Sequence, residues 1–414
     1  MILCLDVGST WTKAALLSDS GDLVRTAQHP TTLDEVMRGV DALGTASSVL
    51  ACSSAGGGLR LAVVGQERVV SAEAGYRVAL SAGAKVVFVS AGPVDVRALR
   101  AAAPDLVLLV GGTDGGDETV LLENARRLSR VAVPIVLAGN ASARASALSL
   151  LQSRKVVATD NVLPDVGSLN PDPARRAIRA AFLDHVIGGK KLSRGPRFRR
   201  LVRAVTPDAV LAGVSRLAAQ DREGAVLVVD VGGATTDVYS AVSTVDSVGV
   251  ERTVALPPDR RTVEGDLGMR WSAPGVVAEA LAERLITAAE GEFLEAEARK
   301  RAADVSWIAD DSTVDLRLAS LAAVLAVRRH LRLVDGQLGP QGAGLLVLSG
   351  GVFRHAPSVA SVEETLRGDS VLRPVLKSAA VTVDKHYVLA PAGLLAESGR
   401  PEVADRLLGA HFAD

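Results

Sequence analysis

Two aspartates each close an apolar run and open a turn rich in glycine and hydroxyl side chains. They are Asp6 in ILCLDVGSTWTKA (2–14) and Asp230 in VLVVDVGGATTDV (226–238). A buried strand that ends this way sets a carboxylate and several backbone N–H groups at one mouth of a sheet, where Mg2+ and polyphosphate can be held. In the first segment Asp6 is expected to face the metal through water, because Mg2+ gives up its hydration reluctantly. Gly8, Ser9 and Thr10 offer N–H and hydroxyl donors to phosphate oxygens, and Lys13 adds a positive charge for the terminal phosphate. In the second segment Asp230 is expected to complete the outer shell of the metal or to orient an attacking water. Gly232, Gly233, Thr235 and Thr236 wrap the other side, and Asp237 is expected to join Asp6 and Asp230 at the metal as a supporting carboxylate behind them. A glycine pair after a third apolar strand, Gly350 and Gly351, leaves room for a flat adenine and its ribose against the backbone. Strands also end in Asp and Gly for turn-forming reasons alone, so the reading rests on the combination.

The elements that must position these residues are short apolar runs, each followed by glycine and then by a helical pattern. They are 2–8, 86–92, 106–112, 133–139, 226–233 and 345–351. Such runs read as strands buried on both faces, and the fold class is α/β. Stretches 174–187 and 276–302 carry apolar residues at three and four spacings, as amphipathic helices do, with Pro171 and Pro173 ahead of the first. The two Asp-Val-Gly segments look like copies 224 residues apart (230 − 6), and VLLVGGTD (107–114) is matched to LVLSGGVF (346–353) as a second landmark pair. The expected architecture is two like domains facing a common cleft. Asp, Asn, Gly and Pro collect between 150 and 175, which places the boundary there.

Composition narrows the function. A hydrophobic fraction of 48% and a charged fraction of 22% belong to a folded globular chain rather than a disordered or fibrous one. Forty-six basic residues against 47 acidic ones leave a net charge of −1, so no overall field gathers nucleic acid or anionic lipid. Phe, Trp and Tyr together number 12, too few for a base-stacking surface. The basic stretch 188–203, with Phe198 its one aromatic, reads first as a solvated face and second as a dock for an acidic surface. Only Cys4 and Cys52 are present, which excludes a disulfide framework and a four-thiolate metal site and points to the cytoplasm. The five apolar residues before Asp6 do not read as a signal peptide, and no run approaches the roughly 18–20 residues of a membrane span.

Taken together, the three segments resemble the phosphate 1, phosphate 2 and adenosine motifs of the actin, Hsp70 and sugar-kinase superfamily. Within it, the chain is similar to the glutamate mutase L family, accessory proteins of adenosylcobalamin-dependent glutamate mutase, unrelated to the mismatch-repair protein of similar name. The likeness spans nearly the whole chain. It is carried by CSSAGGGLRLAVVG (52–65), PDLVLLVGGTDGGD (104–117), VLAGN (136–140), NVLPDVGSLNPDPARRAIR (161–179), VDVGGATTDVYS (229–240), RTVEGDLGMR (261–270) and LSGGVF (348–353).

The resemblance implies duplicated actin-like, ribonuclease H-like ATPase domains facing a nucleotide cleft: 1–160 plus 390–414 as domain I and 161–389 as domain II. It implies ATP and Mg2+ as cofactors, and a role as chaperone or reactivase for a cobalamin-dependent carbon-skeleton mutase. It places Asp6, Ser9, Thr10 and Lys13 on the first phosphate loop, Asp230, Gly232, Gly233 and Thr235 on the second, Gly350 and Gly351 on the adenosine turn, and Glu264 near the ribose. A homo-oligomer is compatible with it; nucleic acid and membrane are not expected partners. EGDLGMR (264–270) and GGTDGG (111–116) gain no chemistry from their spacing.

Three other functions share the motifs. A small-molecule kinase of the same fold would use Asp230 as a base beside an acceptor hydroxyl, and no acceptor signature is visible. A nucleotide-gated binding protein would use ATP only to shift a conformational equilibrium. An activator of radical 2-hydroxyacyl-CoA dehydratases would need paired cluster cysteines, for which Cys4 and Cys52 are a poor equivalent.

Overall fold

The six apolar runs all become strands, in a computed structural model of the chain. It describes residues 1–414 except 9–10, 33–34, 55–58, 68–70, 82–83, 167, 183–195, 221–222, 243–258, 306, 309–310, 335–337, 340 and 413–414. In chain order the strands are β1 (Ile2–Val7), β2 (Trp11–Leu17), β3 (Leu23–Pro30), β4 (Ser48–Ser53), β5 (Arg60–Gly65), β6 (Lys85–Ala91), β7 (Leu106–Leu109), β8 (Ile135–Leu137), β9 (Val156–Ala158), β10 (Val202–Val205), β11 (Ala225–Val231), β12 (Thr236–Ala241), β13 (Asp259–Glu264), β14 (Ala343–Ser349) and β15 (Ala380–Val383). The fold class is α/β.

Among the described residues the strands form three five-stranded sheets, two of which have the same order. The first runs β3-β2-β1-β4-β10 and the second β13-β12-β11-β14-β15, so counted within each copy both read 3-2-1-4-5. In both, the first strand pairs antiparallel with the second and parallel with the fourth. The registers agree as well: Asp6 lies opposite Lys13 and beside Cys52, and Asp230 lies opposite Asp237 and beside Ser349. This is the duplication expected from the two Asp-Val-Gly segments. The second landmark pair is corrected. β14 corresponds to β4, its counterpart beside the central strand, whereas VLLVGGTD belongs to β7 in another sheet. An apolar run ending in Gly-Gly looks alike in either sheet, because both kinds of strand are buried on both faces.

The third sheet, β6-β5-β7-β8-β9, is wholly parallel. Its order is that of a doubly wound sheet whose direction reverses between β5 and β7. The GGTDGG turn follows β7 at the carboxyl edge, with Gly111, Gly112 and Gly115 at φ of +147°, +69° and +75°. Buried Asn140 accepts from the Gly115 N–H at 3.2 Å and donates to the Gly116 carbonyl at 3.0 Å. Buried Asn161 donates to the Gly112 carbonyl at 3.0 Å. These glycines are required by a turn that two core asparagines hold, and VLAGN and NVLPDVG supply those asparagines.

The chain divides into two compact units, Met1–Val210 with Gly249–Arg260 and Leu211–Val248 with Arg261–Asp414. Residues 161–210 thus go with the first unit and 390–414 with the second, a different partition from the one expected. Locally, β10 is an edge strand of the first sheet. In the second unit Arg216 forms an ion pair with Asp405, and a Cβ on Gly213 would lie 2.1 Å from the Leu389 carbonyl oxygen. That close backbone approach is possible only for glycine. Of the expected helices, the first is Pro171–Phe182 as far as it is described, 183–187 lying outside the described residues, and two helices, Ala273–Ala282 and Ala288–Ala303, stand in place of the continuous 276–302. Residues 188–195, half of the basic stretch, lie outside the described residues; in the other half Phe198 is buried and Arg197 pairs with Asp41 at 2.7 Å. Among the described residues no helix is long and apolar enough to cross a membrane.

Candidate functional site: two aspartate-glycine loops

At the first loop Asp6 ends the central strand with its side chain only 14% exposed. Thr206 Oγ1 donates to Asp6 Oδ1 at 2.5 Å, and Lys13 Nζ lies 3.6 Å from Oδ2. Cys52 Sγ is 3.7 Å from Oδ1. Burial, with the Asp6 charge second, pushes the Cys52 thiol well above its ordinary range, so it stays protonated beside the carboxylate. The Gly8 N–H donates to the Trp11 carbonyl at 3.0 Å and closes the turn, while Thr31 Oγ1 holds the Gly8 carbonyl at 2.9 Å. Ser9 and Thr10 lie outside the described residues.

The second loop repeats that closure: the Gly232 N–H donates to the Thr235 carbonyl at 2.9 Å. Here the segment EGDLGMR and the two residues after it form the backing. Met269 N–H donates to the Gly232 carbonyl at 2.9 Å, and the N–H groups of Arg270 and Trp271 donate to the Gly233 carbonyl at 2.8 and 3.0 Å. Ser272 Oγ donates to the Ala234 carbonyl at 3.1 Å, and Thr236 Oγ1 donates to the Leu267 carbonyl. A Cβ on Gly268 would fall 2.4 Å from the Ala234 carbonyl carbon, so only glycine fits there. Every peptide bond of the described chain is trans, and in a trans peptide unit C=O and N–H point in opposite directions. Tying down the carbonyls of Gly232, Gly233 and Ala234 therefore turns the N–H groups of Gly233, Ala234 and Thr235 to the opposite side. There they donate to no acceptor among the described residues. Consecutive unsatisfied N–H groups of this kind suit an anion.

Asp230 is partly buried at the end of β11. Asp237 Oδ1 accepts from Arg261 Nε at 2.8 Å and Oδ2 from Thr235 Oγ1 at 3.1 Å, so both oxygens are engaged by protein donors. Glu264 pairs with Arg329 at 2.7 Å, and the same guanidinium holds Asp266 and Glu279. Gly350 has φ +117° and a Cβ there would meet the Val231 carbonyl oxygen at 2.3 Å, which is a packing demand; at Gly351 nothing among the described residues lies within 4 Å of that position. The open face is at Gly351. Among the described residues no three His, Cys, Asp or Glu side chains group as ligands for a metal.

A family model described as MutL protein matches residues 2–412. The chain belongs to the MutL family. The MutL protein of Clostridium tetanomorphum is 31% identical over 452 residues, an alignment that covers 98% of this chain and 98% of that relative. Among solved structures, nucleotide-free acetone carboxylase is 13% identical with a TM-score of 0.41, over 96% of this chain and 70% of its own. The activator of 2-hydroxyisocaproyl-CoA dehydratase from Clostridium difficile, with bound ADPNP, is 9% identical with a TM-score of 0.30, over 99% and 96%. Likenesses of that size say nothing about ligand or activity in this MutL-family chain. Its two cysteines are both buried in strands, Cys4 in β1 and Cys52 in β4, where neither is presented to a cluster.

Sequence reasoning missed Thr206, Cys52 and Thr31 at the first loop, and Met269 to Ser272 at the second. Thr206 is 200 residues from Asp6, and no local pattern signals it. The EGDLGMR motif was visible but mute, since its work is done by backbone N–H groups that any residue but proline possesses.

Proposed function

We propose that this MutL-family chain binds Mg·ATP through its two aspartate-glycine loops, hydrolyses it slowly, and uses the cycle to assist or reactivate an adenosylcobalamin-dependent carbon-skeleton mutase such as glutamate mutase. The observation that carries the reading is the repeated loop. In two sheets of the same 3-2-1-4-5 order, an aspartate ends the central strand, a glycine N–H closes the turn, and the glycine carbonyl is held from behind. Nothing in sheet packing demands that arrangement twice.

The residues fit the cofactors. Mg2+ with a nucleotide is usually held by one or two carboxylates, waters and phosphate oxygens, not by an all-protein cage. Asp6 and Asp230 would hold the metal through its waters, and the bound ion would neutralise charge developing on the phosphates. The N–H groups of Gly233, Ala234 and Thr235 would receive phosphate oxygens, and the open face at Gly351 would receive the nucleoside. Lys13, near Asp6, would supply a compact positive charge. Asp230 would orient a water toward the terminal phosphate. Asp237 is better matched to holding Arg261 and Thr235 than to the metal. The partner assignment is supported by family membership alone.

Steady-state release of ADP and phosphate from Mg·ATP tests the reading, with the purified chain alone and then with glutamate mutase, using Asp6→Asn and Asp230→Asn as controls. Turnover that rises with the mutase and is lost in both variants supports an ATP-driven reactivase. Binding without turnover overturns the ATPase and leaves a nucleotide-gated adaptor; transfer to an added small alcohol in place of hydrolysis overturns it in favour of a kinase.

A further inference from the structure

The EGDLGMR backing of the second loop is itself anchored. Arg270 Nη2 reaches Asp315 Oδ2 at 3.2 Å, and the other oxygen of Asp315 accepts from Arg301 Nε at 2.5 Å. Arg301 is the largest fully buried side chain among the described residues, and Asp315 is 8% exposed. Arg301 also donates through Nη1 to the Glu297 carbonyl and carboxylate, each at 2.9 Å. Arg301 and Glu297 lie on the helix Ala288–Ala303 and Asp315 on the helix Thr313–Leu333, so Arg270 is fixed to two helices through one shared carboxylate. At its other end the Arg270 stem covers Gly233, with Cγ 3.7 Å from the point where a Cβ would stand.

From this geometry, and resting on the ATP reading above, we propose that Arg270 is a positioning residue for the second phosphate loop. Its guanidinium is held by the buried Asp315–Arg301 pair, and its backbone and stem fix Gly233 so that the N–H groups of Gly233, Ala234 and Thr235 are presented to phosphate before ATP arrives. A glycine-rich loop is otherwise free to rotate those peptides, and ordering it on binding would weaken affinity. The planar guanidinium is suited to this post because its fork reaches a carboxylate while the stem packs elsewhere. The nucleoside face at Gly351 does not depend on it.

Arg270→Ala tests the assignment, because Asp315 keeps its Arg301 partner and the buried charges remain compensated. Asp315→Asn would leave Arg301 buried without that carboxylate and is unsuitable. Dissociation constants for Mg·ATP and for adenosine are measured by competition against a fluorescent ATP analogue, on the full chain and on Arg270→Ala and Arg270→Lys. The expected result is Mg·ATP binding weakened by about 10- to 100-fold in Arg270→Ala. Adenosine binding is expected to be unchanged, and Arg270→Lys to recover part of the loss. Unchanged Mg·ATP binding in Arg270→Ala overturns the assignment while leaving the ATP reading intact. Equal losses for adenosine and Mg·ATP overturn it too, since that marks a general structural role. No Mg·ATP binding by the unaltered chain overturns the ATP reading and this assignment with it.

Discussion

Thr206 Oγ1 and Asp6 Oδ1 are 2.5 Å apart although 200 residues separate them. The hydroxyl begins the helix Thr206–Ala218, and the carboxylate ends the central strand of the first sheet. A donor to a carboxylate contributes about 1.5–3 kcal/mol in such surroundings. Thr206→Val keeps the shape and removes the donor, so Asp6 should lose its aim. Hydrolysis of Mg·ATP is expected to fall about tenfold, with the melting temperature lowered by only a few degrees. Activity equal to the unaltered chain would show that the contact is structural only.

Gly350 and Gly351 separate packing from binding. With φ +117° and the Val231 carbonyl oxygen 2.3 Å from its Cβ position, Gly350→Ala is expected to cost about 1–3 kcal/mol, read as a lower melting temperature. Gly351→Ala meets nothing within 4 Å among the described residues, so stability should hold while adenosine binding weakens. Adenosine affinity unchanged in Gly351→Ala would remove this turn from the nucleoside site.

Asp237 is assigned a structural part. Arg261, with its side chain 4% exposed, donates to Asp237 through both Nε and Nη2. Removing a carboxylate from so buried a guanidinium costs about 3–5 kcal/mol. Asp237→Asn should therefore lower the melting temperature by several degrees, and the Mg2+ concentration giving half-maximal activity should stay the same. A raised Mg2+ requirement without destabilisation would return Asp237 to the metal.

Cys52 makes stability depend on alkali. An unperturbed thiol ionises near pH 9.0, and burial followed by the Asp6 charge raises the folded thiol well above that. Above the unfolded value the unfolded chain releases a proton that the folded chain retains, so the stability gained by burying the neutral thiol is complete below pH 9.0 and declines as pH rises past it. In urea melts, stability should drop more steeply between about pH 9 and about pH 10.5 in the unaltered chain than in Cys52→Ser. Equal slopes would mean that the thiol titrates normally when folded.

Six of the strands were legible because Val, Leu and Ile runs ending in glycine have few other uses, and Asp6, Gly8, Asp230, Gly232 and Gly233 could be named because both copies keep the same short pattern. The equivalence of β4 with β14 was not legible, since it depends on which strand lies beside the central one, and an apolar run says nothing of its neighbour.

What the sequence determined by itself was local: strand identity, the aspartate-glycine turns, the α/β class and the family. The tertiary structure decided which groups stand behind those turns. Thr31 and Thr206 come to the first loop and Met269 to Ser272 to the second through pairings between segments far apart in the chain or through backbone N–H groups, and neither leaves a residue signature. It also decided that Asp237 and Glu264 face arginines, because a carboxylate in a buried position is stable there only with a partner, and the partner is chosen by packing.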